Sequence, residues 1–139
     1  STQVPFIIVA PGVTTPGSRS GEAVSTHSIY PTLVELAGLD RPDFVDGTSL
    51  VPLLRDPTRT WDDVAITTYG DYGNFTVRDD RYRYIVYADG EEELYDTEAD
   101  PNQWTNLASD SRYDAIKQEL AARIPPADTH APEVVDDEE

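Results

Sequence analysis

No cysteine occurs in the 139 residues. Disulfides, thiolate metal sites and a cysteine nucleophile are therefore excluded within this chain, while the redox compartment stays open. Methionine is missing too, and the first residue is Ser1; the expectation is a processed chain or a fragment. Basic residues are scarce, 10 Lys and Arg against 27 Asp and Glu, for a formal charge of -17. Such a field repels phosphate backbones and anionic membrane surfaces, so neither nucleic acid nor membrane is expected as a partner. Histidine is limited to His27 and His130, which cannot build a metal cluster without other ligands. Long apolar runs are lacking as well. Phe6 to Ala10 falls far short of the roughly 18 residues that span a bilayer, and no basic segment precedes it as in a signal peptide.

What is present points to a packed fold. The hydrophobic share is only 38%, yet eight Tyr, two Trp and three Phe are more aromatics than disordered chains usually carry. Val4 to Ala10 is an unbroken, β-branched apolar run closed by Pro11-Gly12. A run without alternation suits a strand covered on both faces, as in an α/β sheet, and it needs neighbours that the next residues do not supply. Thr14 to Gly21 reads as a loop. Ser28 to Gly38 reads as a helix, with Ser28 as N-cap, Pro31 in the first turn, Gly38 as the stop and Ile29, Leu33 and Leu36 on one face. Asp46-Gly47 is a turn, and Leu50 to Leu54 a short helical turn ended by Asp56-Pro57.

Past Trp61 the pattern changes. Val64–Tyr69, Asn74–Arg78, Tyr82–Tyr87 and Glu93–Asp96 read as strands, separated by Gly70 and Gly73, by Asp79-Asp80 and by Asp89-Gly90. Strands so close in sequence should pair antiparallel as a meander. Ser111 to Ile124 reads as a helix, with Ser111 and Asp114 as a capping box, Tyr113, Ile116, Leu120 and Ile124 as its apolar stripe, and a Glu119–Arg123 pair. Pro125-Pro126 ends it. The acidic stretch to Glu139 reads as a disordered or loosely draped tail.

These segments resemble the C-terminal portion of sulfatases of the alkaline-phosphatase superfamily. Val4–Ile8 with Ala10-Pro11-Gly12 is similar to the strand and turn after the active-site Lys/His region. Ser28-Ile29-Tyr30-Pro31-Thr32-Leu33 with Leu36–Leu39 is similar to the family's D-x-Y-P-T-L helix, and Asp46–Leu54 to its D-G-x-S-L-x-P-L-L segment. Val77-Arg78, Tyr82–Tyr84, Glu93–Asp96, Asp100-Pro101 and Asn106–Ala108 follow in the family's order. The resemblance spans roughly residues 3 to 124, with details nearest to iduronate-2-sulfatase-like and choline-sulfatase-like members; His27 departs from the pattern.

The resemblance implies an α/β fold overall and α+β in this stretch. Residues 1–60 would close the alkaline-phosphatase-like α/β domain, 61–126 would form a four-stranded antiparallel sheet with a packed C-terminal helix, and 127–139 the tail. It implies sulfuric-ester hydrolysis through formylglycine, made in a C/S-x-P-S-R motif, with Ca2+ held by Asp pairs and Asn or His. This chain has no such motif; Thr14 to Arg19 lacks the nucleophile precursor and the Ser after Pro. Catalytic and metal residues are thus expected in the N-terminal part of the same sulfatase, which becomes the main partner, with a sulfated small molecule or sugar as substrate. Family members are often exported to periplasm, exterior or lysosome; the sequence itself sets no compartment.

Within the chain, the substrate-cleft candidates are Tyr69, Asp71, Tyr72, Asn74 and Arg78. Gly70 and Gly73 would let backbone approach a ligand, and Tyr, Asp and Asn offer hydrogen bonds to a sugar or alcohol. A plain hairpin loop is the competing reading, and for Arg78 a carboxylate pair that holds the small sheet to the main domain. Asp62-Asp63 and Asp79-Asp80 read as strand entry and turn. Asp96-x-Glu98-x-Asp100 fails as an EF-hand loop because Pro101 and Leu107 stand where Gly and Glu belong. Two rival identities stay open at this point: a fragment of a related phosphodiesterase or phosphonate hydrolase, and a stand-alone non-catalytic binding module.

Overall fold

The structure is a computed structural model that describes residues 4–70 and 73–126. Asp71, Tyr72 and the acidic tail from 127, with His130, lie outside the described residues. The chain divides into two compact units, residues 1–65 and 66–139.

The first unit is built on two short helices. α1 spans Ile29–Leu36 after a 3-10 turn at Thr26–Ser28, and α2 spans Val51–Arg55. Gly38, at φ +66°, ends α1 as expected. The Gly38 N–H donates to Glu35 O at 3.0 Å and the Leu39 N–H to Val34 O at 3.1 Å, the paired bonds of a Schellman stop. The N-cap differs from the expectation: Ser25 caps the 3-10 turn by accepting from the His27 N–H, while the Ser28 side chain caps nothing.

The buried face of α1 also differs. Ser28, Thr32 and Val34 are buried, whereas Ile29 and Leu33 are 39% and 58% exposed. Thr32 explains the inward face, because its hydroxyl donates to Ser28 O and accepts from the Leu50 N–H at 2.8 Å. One hydroxyl thus ties α1 to the start of α2 and satisfies an otherwise orphaned helix-entry amide. Val45, Leu50, Val51 and Leu53 complete this core. Gly47 is obligatory at its turn. Its φ is +89°, and a Cβ there would meet His27 O at 2.7 Å.

The expected strand at Val4–Ala10 is not formed. Strand structure requires a ladder of hydrogen bonds to a neighbour, and no neighbour pairs with this run among the described residues. Val4, Ile7 and Val9 are 63%, 83% and 81% exposed. Only its end is anchored: the Ala10 N–H donates to Thr14 Oγ1 and the Thr14 hydroxyl returns to Ala10 O, both at 3.0 Å.

The second unit forms the expected meander. β1 (Ala65–Thr68), β2 (Phe75–Arg78), β3 (Tyr82–Val86) and β4 (Glu92–Asp96) lie in the order β1-β2-β3-β4. Val77 pairs with Tyr84 and Tyr84 with Leu94, so these three share one face. All are buried, with Leu94 and Val77 at 0% exposure. α3 (Asp114–Ala121) packs on β2 and β3, and its Leu120 is buried. Burying side chains of this size contributes about 1.5–3 kcal/mol each. Asp110, not Ser111, caps the entry to this helix by accepting from the Arg112 N–H at 3.0 Å. The Glu119–Arg123 pair does not form among the described residues; Lys117 pairs instead with Glu92 at 3.2 Å and Asp114 at 3.6 Å.

Asn106 closes the free edge of β4. Its Oδ1 accepts from the Leu94 and Ala108 N–H groups at 3.0 and 2.9 Å, and its Nδ2 donates to Glu92 O at 3.2 Å. A side chain in this way answers backbone groups that an edge strand leaves open.

Candidate functional site

The loop between β1 and β2 carries most of the residues singled out for a ligand. The Tyr69 N–H donates to Asn74 O at 3.4 Å across it. Gly70 and Gly73 stand at φ +65° and +107°, a region that favours glycine. A Cβ on Gly73 would approach Ala88 Cβ to 3.0 Å, so this loop lies against the turn between β3 and β4. Asn74 joins the two turns, its Oδ1 accepting from the Ala88 N–H at 3.1 Å. Tyr69 is 86% exposed and presents its ring to solvent. Asp71 and Tyr72 lie outside the described residues.

Arg78 stands apart from that loop. It ends β2 as Asn74 precedes it, about 13 Å along an extended strand. Even-numbered positions of β2 share the face opposite α3, so Thr76 and Arg78 point to the same side. The register brings Arg83 of β3 directly opposite Arg78, and Tyr95 of β4 opposite Arg83. Glu93 shares this face and is taken by two tyrosines, the Tyr87 hydroxyl at 2.9 Å on Oε1 and the Tyr95 hydroxyl at 2.7 Å on Oε2. The bond to Glu93, aided by burial, pushes the Tyr95 hydroxyl up to about 12, so both hydroxyls remain donors at neutral pH. Arg83 Nη1 donates to Gln103 Oε1 at 2.8 Å.

Other acidic clusters are structural. Asp79 accepts from the Arg81 N–H at 2.8 Å and from the Tyr82 N–H, which makes it the turn residue expected. Asp63 accepts from its neighbour Val64. Asp96 is 5% exposed and receives Arg81 Nε and Nη2 at 3.1 and 2.7 Å, with the Glu98 and Ala99 N–H groups. Arg81 holds its carboxyl below the usual carboxylate value against the opposing cost of burial. Asp100 accepts from the Trp104 and Thr105 N–H groups at 2.7 and 2.8 Å. Between sheet and helix, Glu92 receives the Tyr84 hydroxyl and Lys117, and both lower its pKa.

Those uses bear on the calcium that the resemblance implies. A hard divalent cation needs several oxygen ligands converging on one point. Among the described residues no three of His, Cys, Asp or Glu gather in that way, and the carboxylates above face arginines, amides and tyrosines. The described residues do not fit the ion. His27, exposed, borders a groove of about 520 Å3 within the first unit, with Ile29, Tyr30, Leu33, Phe44 and Asp46.

Sequence patterns did not single out Thr32, Arg81, Gln103 or Asn106 as individual contributors. Asn106 carried a signal, its place in the Asn106–Ala108 segment, but its partner Leu94 lies twelve residues away.

The model of the family described as N-sulphoglucosamine sulphohydrolase, C-terminal, matches residues 1–129. A protein named sulfatase from Formosa agariphila is 38% identical over 125 residues, covering 90% of this chain and 24% of that protein. Among solved structures, BT4656 in complex with its substrate D-glucosamine-2-N,6-O-disulfate superposes with a TM-score of 0.58 at 26% identity, covering 68% of this chain and 22% of that one. A phosphonate monoester hydrolase of Agrobacterium radiobacter superposes with a TM-score of 0.54 at 29% identity, over 69% and 23%. The chain therefore spans about a quarter of the length of the curated relative it matches. Its sheet and helices are those of the sulfatase C-terminal domains, and with the family model matching nearly end to end, the chain belongs to the sulfatases, in their N-sulphoglucosamine sulphohydrolase C-terminal family.

Proposed function

We propose that this chain is the cleft-shaping C-terminal part of a sulfuric-ester hydrolase that acts on a sulfated saccharide, and that it is inactive without the N-terminal part of the same enzyme. The observation that carries the reading is the apolar run at Val4–Val9, largely exposed and without a strand partner among the described residues, in a chain whose residues 1–129 match a sulfatase C-terminal family model. Exposed apolar surface on this scale calls for a covering partner. The division into closing elements at 1–60, a sheet subdomain at 61–126 and a tail belongs to the same proposal. Calcium and formylglycine would reside in the partner portion. A saccharide is favoured over choline sulfate by the sugar disulfate bound to BT4656.

Tyr69, Asp71, Tyr72, Asn74 and Arg78 are the proposed cleft residues. Tyr69 is free to stack on a sugar ring, since it is exposed beside two left-handed glycines. Asn74 already spends its carbonyl oxygen on Ala88, which makes it the residue that shapes the loop.

The likeness to a phosphonate monoester hydrolase keeps one second reading, which the same experiment separates. Full-length protein and the isolated chain are assayed on 4-nitrophenyl sulfate, a sulfated disaccharide and a phenyl phosphonate ester. Sulfate-ester turnover by the full-length protein alone is the expected result. Turnover by the isolated chain, or full-length activity confined to the phosphonate, overturns the proposal.

A further inference from the structure

Arg78 and Arg83 sit directly opposite each other on neighbouring strands. The Asp79 N–H donates to Tyr82 O at 3.1 Å, so 79 and 82 form a hydrogen-bonded pair. The next pair outward, Arg78 with Arg83, is then of the non-hydrogen-bonded kind, in which side chains come closest. Like charges in that position destabilise a sheet. The chain holds 27 acidic residues against 10 basic ones, so carboxylates to neutralise the pair are abundant in the sequence.

None is used. Arg81, Arg112 and Lys117 each pair with a carboxylate. Neither Arg78 nor Arg83 has an ion-pair partner among the described residues. Glu93, the carboxylate at hand on that face, is occupied by the Tyr87 and Tyr95 hydroxyls. Arg83 is instead braced by Gln103, and its Nε is enclosed without a hydrogen-bond partner among the described residues. Gln103 holds the brace at φ +55°, the left-handed region for a non-glycine residue, a strained conformation that persists where the surroundings enforce it. Two half-buried cations are thus positioned side by side, one braced by Gln103, with no carboxylate in ion-pair contact among the described residues.

We infer that Arg78 and Arg83 form an oxyanion site on the open face of the sheet, which takes a sulfate or carboxylate of an acidic saccharide away from the bond being cleaved. The inference rests on the proposed saccharide substrate and deepens it. A guanidinium presents a planar fork that fits the two oxygens of such a group, and desolvated by the sheet it binds more strongly than a solvated lysine would. Asn74 precedes β2 and Arg78 ends it, about 13 Å apart along the strand, a span that an extended oligosaccharide covers.

The test uses the full-length protein with Arg78→Gln, Arg78→Lys and Arg83→Gln. The readout is the ratio of kcat/KM on a sulfated oligosaccharide to that on 4-nitrophenyl sulfate, together with Tm. The ratio is expected to fall about 10-fold in Arg78→Gln, mostly through KM, and Arg78→Lys should restore little because it lacks the fork. Oligosaccharides that carry either an extra sulfate or only a uronate identify the source of the oxyanion by which one loses the preference. A ratio that stays within about twofold while Tm and both activities fall together would overturn the site in favour of a protein carboxylate docked on the pair. An unchanged ratio with unchanged Tm overturns it too. If wild-type protein cleaves no sulfate ester, the enzymatic reading fails separately. Calorimetric titration of wild type and Arg78→Gln with the sulfated oligosaccharide then still decides the pair, by weaker binding in the variant or by equal binding in both.

Discussion

The two units of this chain solve the problem of burying apolar surface in opposite ways. Among the described residues of 66–126 the exposed large apolar side chains are Tyr69, Tyr87 and Trp104, all aromatic with a polar handle. In residues 4–65 they include Val4, Phe6, Ile7, Val9, Ile29, Leu33, Leu39 and Phe44. The sheet unit satisfies itself through contacts between segments close in sequence, and its edge is closed by Asn106. The helical unit holds together through Thr32 and a few apolar side chains while its greasiest segments look outward. Local hairpins carry their own partners; a sheet-interior strand depends on residues far away in the chain.

The sharpest way to break this comparison is to separate the units. Residues 66–126 alone should keep a cooperative thermal transition and strand circular dichroism. Residues 4–65 alone should bind an apolar dye such as anilinonaphthalene sulfonate and lack a sharp transition. The reverse result would remove the distinction. Within the sheet unit, Leu94→Ala empties the centre of the row formed with Val77 and Tyr84. A loss of about 3 kcal/mol in urea unfolding is expected.

In the helical unit the corresponding weak point is backbone. Gly47→Ala would force a residue at φ +89° against His27 O, with an expected loss of about 2 kcal/mol. Because the unit is poorly covered by itself, this is best measured as a lowered Tm of the full-length protein. The smallest effect is electrostatic. Arg81 holds the Asp96 carboxyl below its usual value, and Tyr84 with Lys117 does so for Glu92. Carboxyls more acidic when folded stabilise the fold above their unfolded pKa, and the contribution is lost as pH falls through the folded value. The sheet unit should therefore lose stability below about pH 4, and Asp96→Asn should flatten that decline. A pH-independent Tm between roughly 6 and 3 would contradict the assignment.

Much of the sheet unit could be read from residues alone, because each hairpin turn declares itself locally. Asp79-Asp80 and Asp89-Gly90 named their turns, and Gly38 named the end of α1. The cap of the last helix was missed by one residue, Asp110 for Ser111, since both residue types cap equally well. The inward face of α1 was misjudged for a deeper reason. Periodicity identifies Ile29, Leu33 and Leu36 as apolar, but which face is covered depends on the neighbour present, and here that neighbour is α2, met through Thr32. Of the cleft candidates, pattern and composition pointed to a loop rich in hydrogen-bonding groups. They carried no sign that Asn74 is engaged with Ala88, or that Arg78 faces Arg83.

Sequence by itself determined the class of the chain, the order of its strands and the family to which it belongs, because turn residues, alternation and ordered motifs are local properties. Tertiary structure alone decided which charges are paired. Arg81 meets Asp96 fifteen positions away, and Arg83 meets Gln103 twenty positions away. It also decided that Arg78 and Arg83 face each other, with no ion-pair partner for either among the described residues. Side-chain partnership is a matter of register and of distance in space, and no local pattern encodes either when the partners come from different strands and loops.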